Sequence, residues 1–274
     1  MEPALCEIPG TVHAPAVPSI PKSARIPAIL EVLELTYPDA HCELNFRSPL
    51  ELLMATILSA QCTDVRVNQV TKILFERCKT ARDYVEIPVA ELESIIRSTG
   101  FYRAKAKNLK ACASALESRH GGEVPRSLEE LTQLAGVGRK TANVVLGDAF
   151  QTPSGVVVDT HVQRLSGRLH LSKHRTPEKI ELDLMKVVPK ESWARLSHWL
   201  IWHGRRRCDA RKPDCAQCEL RALCPSAGEN AARIARKATA GKPSHPKTQT
   251  PSKRIAKGAS KSRTKGAAGP KKSA

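Results

Sequence analysis

The chain has 274 residues, and 44 lysines and arginines against 27 acidic residues give it a formal net charge of +17. Aromatic residues make up only 4%, which argues against an aromatic-rich β-sandwich or barrel. No apolar run approaches the ~20 residues that a membrane-spanning helix needs. The N-terminus also lacks the basic and apolar segments of a secretory signal. We therefore expect a cytoplasmic protein of one or two packed domains that does not enter a membrane.

The two ends of the chain differ from its middle. Residues 1–22 contain five prolines and little periodicity, which predicts a flexible leader. Residues 226–274 contain almost no large apolar side chain, which predicts a disordered basic tail. Such a tail favours a polyanion as partner, with nucleic acid first and an acidic membrane surface second. A tail that only keeps the protein soluble is the alternative.

Helical periodicity dominates the residues between these ends. Ser48, followed by a proline and then by Glu51, predicts a capping box at the start of an amphipathic helix. The next helix is predicted to begin at Thr63, and two later helices are predicted to end at Gly100 and Gly121. The valine run at 156–158 is strand-like but too short to anchor a sheet. The fold class is therefore predicted to be all-α.

A glycine turn follows in the middle of the chain, where Gly136, Val137 and Gly138 lie between an amphipathic segment and a further helix. Two helices joined in this way predict a helix-hairpin-helix, and Arg139 follows the turn directly. Glycine lets the backbone approach a partner closely, and a helix N-terminus favours an anion such as a DNA phosphate. We therefore expect these four residues to contact DNA.

Lys140 lies in the first turn of that helix and has two interpretations. It is either an exposed phosphate-binding lysine or a nucleophile. A lysine amine with an ordinary pKa of about 10.4 is almost wholly protonated near neutral pH. A helix N-terminus and partial burial would both favour the neutral amine, which could then attack a sugar carbon and form a Schiff base.

Asp159 and Thr160 follow the valine run, where either one is predicted to cap the next helix. A capping carboxylate is held in place, so Asp159 could also act as a general base or stabilise developing positive charge. The neighbouring His161 is expected to serve packing or hydrogen bonding.

Four cysteines fall within seventeen residues, at Cys208, Cys215, Cys218 and Cys224. Nothing in the sequence indicates an oxidising compartment, so a disulfide framework is not expected. Four thiolates together suit either a tetrahedral zinc ion or an iron–sulfur cluster. The spacing differs from the paired knuckles of a zinc ribbon, but the residues alone leave iron and zinc open.

Several motifs, taken in order over about residues 26–225, resemble the endonuclease III family of helix-hairpin-helix DNA glycosylases. The segments that carry the resemblance are Leu58-Ser59-Ala60-Gln61, Gly100-Phe101-Tyr102 with Lys105-Ala106, the hairpin from Gly136 to Leu146, Val158-Asp159-Thr160-His161, His203-Gly204-Arg205 and the four cysteines. The chain departs from the family pattern at Phe101, where an aliphatic wedge is usual. It also departs at Cys62, which replaces a small residue, and at Ala135, which replaces a proline.

The resemblance implies two helical domains that flank a DNA groove. One would be a six-helix barrel at 42–153 that contains the hairpin. The other would combine 23–41 with 154–225 and hold a [4Fe–4S] cluster on the four cysteines.

The resemblance further implies a bifunctional glycosylase and β-elimination lyase that removes oxidised pyrimidines from damaged double-stranded DNA in base excision repair. Lys140 would be the nucleophile, and Asp159 would assist it. Gln61 would fill the hole left by the extruded nucleotide. Other DNA contacts would come from Phe101, Thr160, Arg205, Arg211 and Lys212. We expect a monomer whose tail adds non-specific DNA contact. A non-catalytic DNA-binding scaffold and an adenine-mismatch glycosylase are the alternatives.

Overall fold

A computed structural model describes residues 21–229 of the chain, and this part is helical without a β-strand. Its α-helices are α1 (Lys22–Thr36), α2 (Pro49–Leu58), α3 (Asp64–Arg77), α4 (Ala81–Glu86), α5 (Val89–Ile96), α6 (Tyr102–His120), α7 (Leu128–Thr132), α8 (Arg139–Val144), α9 (Thr160–Arg168), α10 (Pro177–Val187) and α11 (Trp193–Arg206). The all-α prediction is confirmed. The leader and the tail lie outside the described residues, apart from positions 21–22 and 226–229.

Helices α2 to α8 enclose the first of two hydrophobic cores. Its fully buried members include Leu52, Leu53, Leu58, Leu74, Leu92 and Leu109. Each such side chain stabilises the folded state by about 1.5–3 kcal/mol before the cost of ordering it is counted. This part of the chain therefore contains the apolar surface that it needs to fold.

The ends of these helices follow the sequence signals, with one correction. Thr63 caps α3 by accepting a hydrogen bond from the backbone of Arg66, and Gly121 ends α6 in the left-handed region. Ser48 caps α2 through the amide of Glu51. The second half of the predicted capping box is wrong, because the Glu51 carboxylate accepts from the amide and guanidinium of Arg47 instead.

The second core combines α1 with α9, α10 and α11. The valine run contributes to it as a buried segment without strand pairing, in which the amide of Val157 donates to the Ser197 hydroxyl at 3.0 Å. Tyr37, just after α1, lies 3.0 Å from the ring of His203 in α11. Two stretches that are far apart in sequence therefore close one core.

Ala142, Val145, Leu146 and Ala149 recur at the spacing of an α-helix, but α8 ends at Val144. The turn Val145–Ala149 has π-helical geometry. It places Asp148 so that its carboxylate lies 2.7 Å from the His198 ring of α11. This pair joins the two cores. Among residues 21–229, no helix has the length and apolarity to cross a bilayer.

Candidate active site

A cleft of about 390 Å³ is lined by residues from both cores. Leu44 lines it from the first core and Trp202 from the second, and Gln61 lines it from the loop between α2 and α3. Lys140 from the start of α8 and Asp159 from the start of α9 also line it. The structure thus brings the two predicted catalytic residues to one cavity, although 18 residues separate them in the sequence.

Asp159 is the N-cap of α9, which confirms its predicted structural role. Its Oδ1 accepts a hydrogen bond from the backbone of Val162 at 2.8 Å, and the residue is half-buried. Capping therefore fixes the carboxylate at the wall of the cleft. Thr160 follows as the exposed first residue of α9.

Lys140 is exposed at the cleft, in the first turn of α8. In the free protein, burial therefore does not favour the neutral amine, because this turn stands on the open side of the cavity. The helix N-terminus beneath the lysine is present as predicted.

The hairpin joins α7 to α8 and uses its two glycines differently. Gly136 has a φ of +78°, and a Cβ built on it would lie 3.1 Å from the Asn108 side chain. Gly138 caps α8 with an ordinary φ of −92°, and a Cβ there would meet no atom within 4 Å. The fold therefore requires glycine at Gly136, whereas Gly138 leaves an open face above the first turn of α8.

Arg139 points away from this open face and toward α10. Its Nε and Nη2 donate to the two carboxylate oxygens of Glu181 at 2.8 and 3.0 Å. Asn143 also donates to Glu181, at 2.9 Å, and accepts from the Ser154 hydroxyl at 2.8 Å. Glu181 is only 5% exposed, so a buried carboxylate ties the helix of Lys140 to the second core.

Gln61 and Phe101 both have backbone geometry that is unusual for residues with side chains. Gln61 has a φ of +53° and Phe101 a φ of +48°. Such strain costs of order 1 kcal/mol or more and clusters at functional sites. The Phe101 ring is also 68% exposed, although burying it would be favourable.

The predicted basic contacts differ in how the free protein uses them. Arg205 bonds to the Glu43 carboxylate and to Asp64, the latter at 2.9 Å. Arg211 and Lys212 have exposed side chains, and their amides donate to the Asp209 carboxylate at 2.7 and 2.9 Å. Whether these three residues contact phosphates stays a prediction.

The four cysteines of the C-terminal loop line one small cavity together with apolar side chains of the second core. Arg168 donates to the Cys208 sulfur at 3.1 Å, and the His203 ring lies 3.5 Å from the Cys218 sulfur. Burial raises the pKa of the Cys218 thiol to about 12, so a bound cation would be needed to keep it a thiolate. Within residues 21–229, no three His, Cys, Asp or Glu side chains group closely enough to hold a single metal ion.

Comparison with known proteins places this arrangement in a family. The model for "HhH-GPD superfamily base excision DNA repair protein" matches residues 54–190, which include Lys140 and Asp159. The chain belongs to the HhH-GPD superfamily. It is 51% identical over 206 residues to Endonuclease III of Synechocystis sp., covering 75% of this chain and 94% of that protein. It is 45% identical over 197 residues to Endonuclease III of Escherichia coli, covering 72% and 92%.

Solved structures of HhH-GPD proteins agree with this assignment. A non-covalent Endonuclease III–DNA complex superposes with a TM-score of 0.73 at 45% identity, covering 78% of this chain and all of that one. A trapped Endonuclease III–DNA covalent intermediate gives a TM-score of 0.73 at 46% identity, covering 77% and all of that chain. The chain is thus a DNA glycosylase/lyase of base excision repair, as the motifs indicated.

Sequence reasoning named Lys105 only as part of a family motif and missed its burial, and it missed the buried Glu181 of this HhH-GPD enzyme altogether. A signal was present for Lys105. It heads the stripe formed by Leu109, Cys112 and Leu116 on α6, because these positions recur at helical spacing. A lysine on an apolar helix face indicates either that the face has been assigned in the wrong register or that the ammonium group is buried and has hydrogen-bond partners.

Proposed function

We propose that this HhH-GPD enzyme removes oxidised pyrimidines from duplex DNA and then cuts the strand by β-elimination. The observation that carries the proposal is the placement of Lys140 and Asp159 on the wall of one cleft, at the starts of two helices from different cores. The trapped covalent intermediate of the similar Endonuclease III supports a nucleophile on the protein.

The chemistry needs only these two side chains and the substrate. The neutral Lys140 amine attacks C1′ of the extruded nucleotide, the bond from C1′ to the base breaks, and the base leaves with the electron pair and takes up a proton. Opening of the sugar ring gives an imine between Lys140 and C1′. Loss of a proton from C2′ then expels the 3′ phosphate, which cuts the strand. Asp159 accepts the proton from Lys140 or stabilises positive charge on the sugar.

The hairpin is proposed to hold a phosphate next to the lesion. The amides at the start of α8 and the positive end of its dipole favour an anion there. Gly138 leaves these amides accessible to a phosphate because it has no side chain to cover them. Gly136, Val137 and the backbone amide of Arg139 would complete this contact, which is independent of base sequence.

Gln61 and Phe101 are proposed to enter the duplex. Extrusion of a nucleotide costs a few kcal/mol because a base loses its stacking partners. An amide that fills the hole and a ring that stacks between bases both reduce this cost. Thr160, Arg205, Arg211 and Lys212 are proposed to contact the DNA around them.

The cysteine loop is proposed to hold a [4Fe–4S] cluster on Cys208, Cys215, Cys218 and Cys224. The donor set fits, because four thiols share one cavity with an apolar wall, and in such a cluster each thiolate binds a different iron atom. The cluster would supply a cross-link that shapes the loop, since the imine chemistry needs no electron. Visible absorption of the purified protein distinguishes iron from zinc, because a zinc site is colourless.

The domain division is likewise a proposal. We propose a barrel at 42–153 and a cluster domain from 23–41 and 154–225, and the separate memberships of the two cores support it. The enzyme is proposed to act as a monomer in the cytoplasm at the nucleoid. The tail is proposed to add non-specific DNA affinity. Its removal should therefore flatten the slope of log K against log salt by about 0.9 for each phosphate that the tail neutralises.

Borohydride trapping tests the proposed nucleophile. Reduction of the imine should cross-link the wild type to duplex DNA with thymine glycol, and Lys140→Ala should give no cross-link. Lys179→Ala is the matched control, because Lys179 is an exposed lysine in the first turn of α10. Equal trapping by Lys140→Ala would overturn the assignment. Binding without any base release in multiple-turnover assays would instead favour a scaffold.

A further inference from the structure

Lys105 is a buried lysine with two partners that belong to different loops. Its residue is only 4% exposed. Its Nζ donates to the carbonyl oxygen of Leu58 and to that of Thr99, both at 2.8 Å. Burial of an ammonium group is costly unless its protons are bound, and these two hydrogen bonds offset that cost for Lys105.

Each of the two carbonyls lies just before a residue with a strained backbone. Leu58 is the last residue of α2 and precedes Gln61 by three positions. Thr99 ends a 3₁₀ turn and precedes Phe101 by two positions. The amide of Lys105 also donates to the carbonyl of Phe101, at 3.0 Å. One residue therefore fixes the backbone on the approach to both left-handed positions.

We infer that Lys105 is a positioning residue that holds Gln61 and Phe101 in register with each other for insertion into the duplex. The inference rests on the proposed function, in which these two residues fill and wedge the DNA. Lys105 itself is buried beneath the loops, so it acts through them.

The physical reason is the strain at both positions. Left-handed backbone geometry at a residue with a side chain persists only where surrounding structure enforces it. The end of a helix also leaves carbonyl groups without partners inside the helix. The Lys105 ammonium supplies a donor to both ends at once, so the loop of Gln61 and the turn of Phe101 cannot shift independently. In the proposed function, Gln61 fills the hole left by the extruded nucleotide while Phe101 stacks between neighbouring bases. The two side chains must therefore keep a fixed position relative to each other.

Lys105→Met tests the inference, because methionine keeps the unbranched apolar stem and removes the ammonium. The first readout is single-turnover base release from duplex DNA with thymine glycol. We expect the rate to fall by about 10- to 100-fold, as expected when reacting groups are misplaced by a fraction of an ångström to an ångström. The second readout is strand cleavage at an abasic site in single-stranded DNA, where no partner strand must be parted. There we expect a change of less than about threefold.

Lys110→Met is the matched control. Lys110 lies on the same helix, and its Nζ also donates to backbone carbonyls, those of Val85 and Ile87 at 2.7 and 2.6 Å. It touches neither loop of the proposed duplex contact. The control should change both readouts by less than about threefold. If Lys105→Met matched it in both assays while the wild type stayed active, the inference would be wrong. An inactive wild type would instead refute the proposed function.

A double-mutant cycle separates positioning from a general effect on folding. In a Gln61→Ala, Phe101→Ala background, Lys105→Met should slow base release by less than about twofold, because the residues it positions are gone. A general loss of stability would persist in that background. If Lys105→Met does not fold, Lys105→Gln takes its place in the same cycle, because its amide is polar but one bond too short to occupy the position of Nζ between the two carbonyls. Full additivity in either cycle would overturn the inference.

Discussion

The two cores of this enzyme are held together in different ways. The first, formed by α2 to α8, contains a continuous set of buried aliphatic side chains. The second also has an apolar centre, but its outer part is the cysteine loop, which contains only one short 3₁₀ turn, Arg221–Leu223. There, Arg168 donates to the carbonyls of Cys208 and Asp209 at 3.3 and 2.7 Å. The first core can thus rely on hydrophobic burial, whereas the loop requires bound partners for its polar backbone and its thiols.

The largest expected effect is the loss of the proposed cluster, which should change the second core and leave the first core intact. Cys218→Ser should remove the visible absorption of the proposed cluster and expose the loop at 207–227 to protease, because metal binding and folding of such a site are coupled. Limited proteolysis followed by mass spectrometry would locate the cuts. Cys78→Ser is the control, because Cys78 is buried in the first core and should leave the colour unchanged. Loss of colour in both variants would contradict the assignment of ligands.

The next effect concerns the joint between the cores. Glu181→Gln should lower the free energy of unfolding by about 1.5–3 kcal/mol, the usual range for a hydrogen bond to a charged group. The Arg139 side chain is 44% exposed, which places the loss toward the lower end of that range. Urea denaturation measures it. Glu86→Gln breaks the exposed pair with Arg82 and should cost less than about 1 kcal/mol; equal losses would show that burial of Glu181 has no effect.

A smaller effect distinguishes the two hairpin glycines, which lie between α7 and α8 in the part of the chain that forms the first core. Gly136→Ala should destabilise the protein by about 1–2 kcal/mol, since alanine is strained at a φ of +78°. Gly138→Ala should leave the melting temperature nearly unchanged, because its φ is ordinary and the space above it is open. It should nevertheless weaken DNA binding in a fluorescence anisotropy titration. Unaltered affinity would show that no phosphate approaches this turn.

The smallest effect is the acid dependence of α4. Hydrogen bonds from the backbone amides of Thr80 and Lys79 hold the pKa of Asp83 below its ordinary value. A lowered pKa adds stability above the unfolded pKa of about 3.9, and this contribution is lost as the pH falls through the folded value. Asp83→Asn should therefore flatten the stability profile below about pH 4. Asp39→Asn, at an exposed position outside a helix, should leave the slope unchanged.

Local signals in the sequence predicted much of the fold but less of the site. The caps at Ser48, Thr63 and Asp159 were predictable because each side chain bonds to an amide a few residues away. The π turn at Val145–Ala149 was not, because its apolar spacing fits an α-helix equally well. The exposure of Lys140 depends on the open side of the cleft, and the partners of Glu181 come from a different core. Such tertiary contacts do not produce a periodic pattern in the sequence, so they could not be predicted from it.

The second core also constrains the order of events during protein synthesis. Its members run from Ile26 to Tyr37 and then from Val156 to Ala227. On a ribosome that adds about 5–20 residues per second, the apolar face of α1 waits about 6–24 s before its first partner is made. The α2–α8 unit can fold in that interval, while the exposed apolar face of α1 can be bound by a chaperone that recognises hydrophobic helices. Iron and sulfide for the proposed cluster would therefore reach a nascent chain in which the first core is already complete.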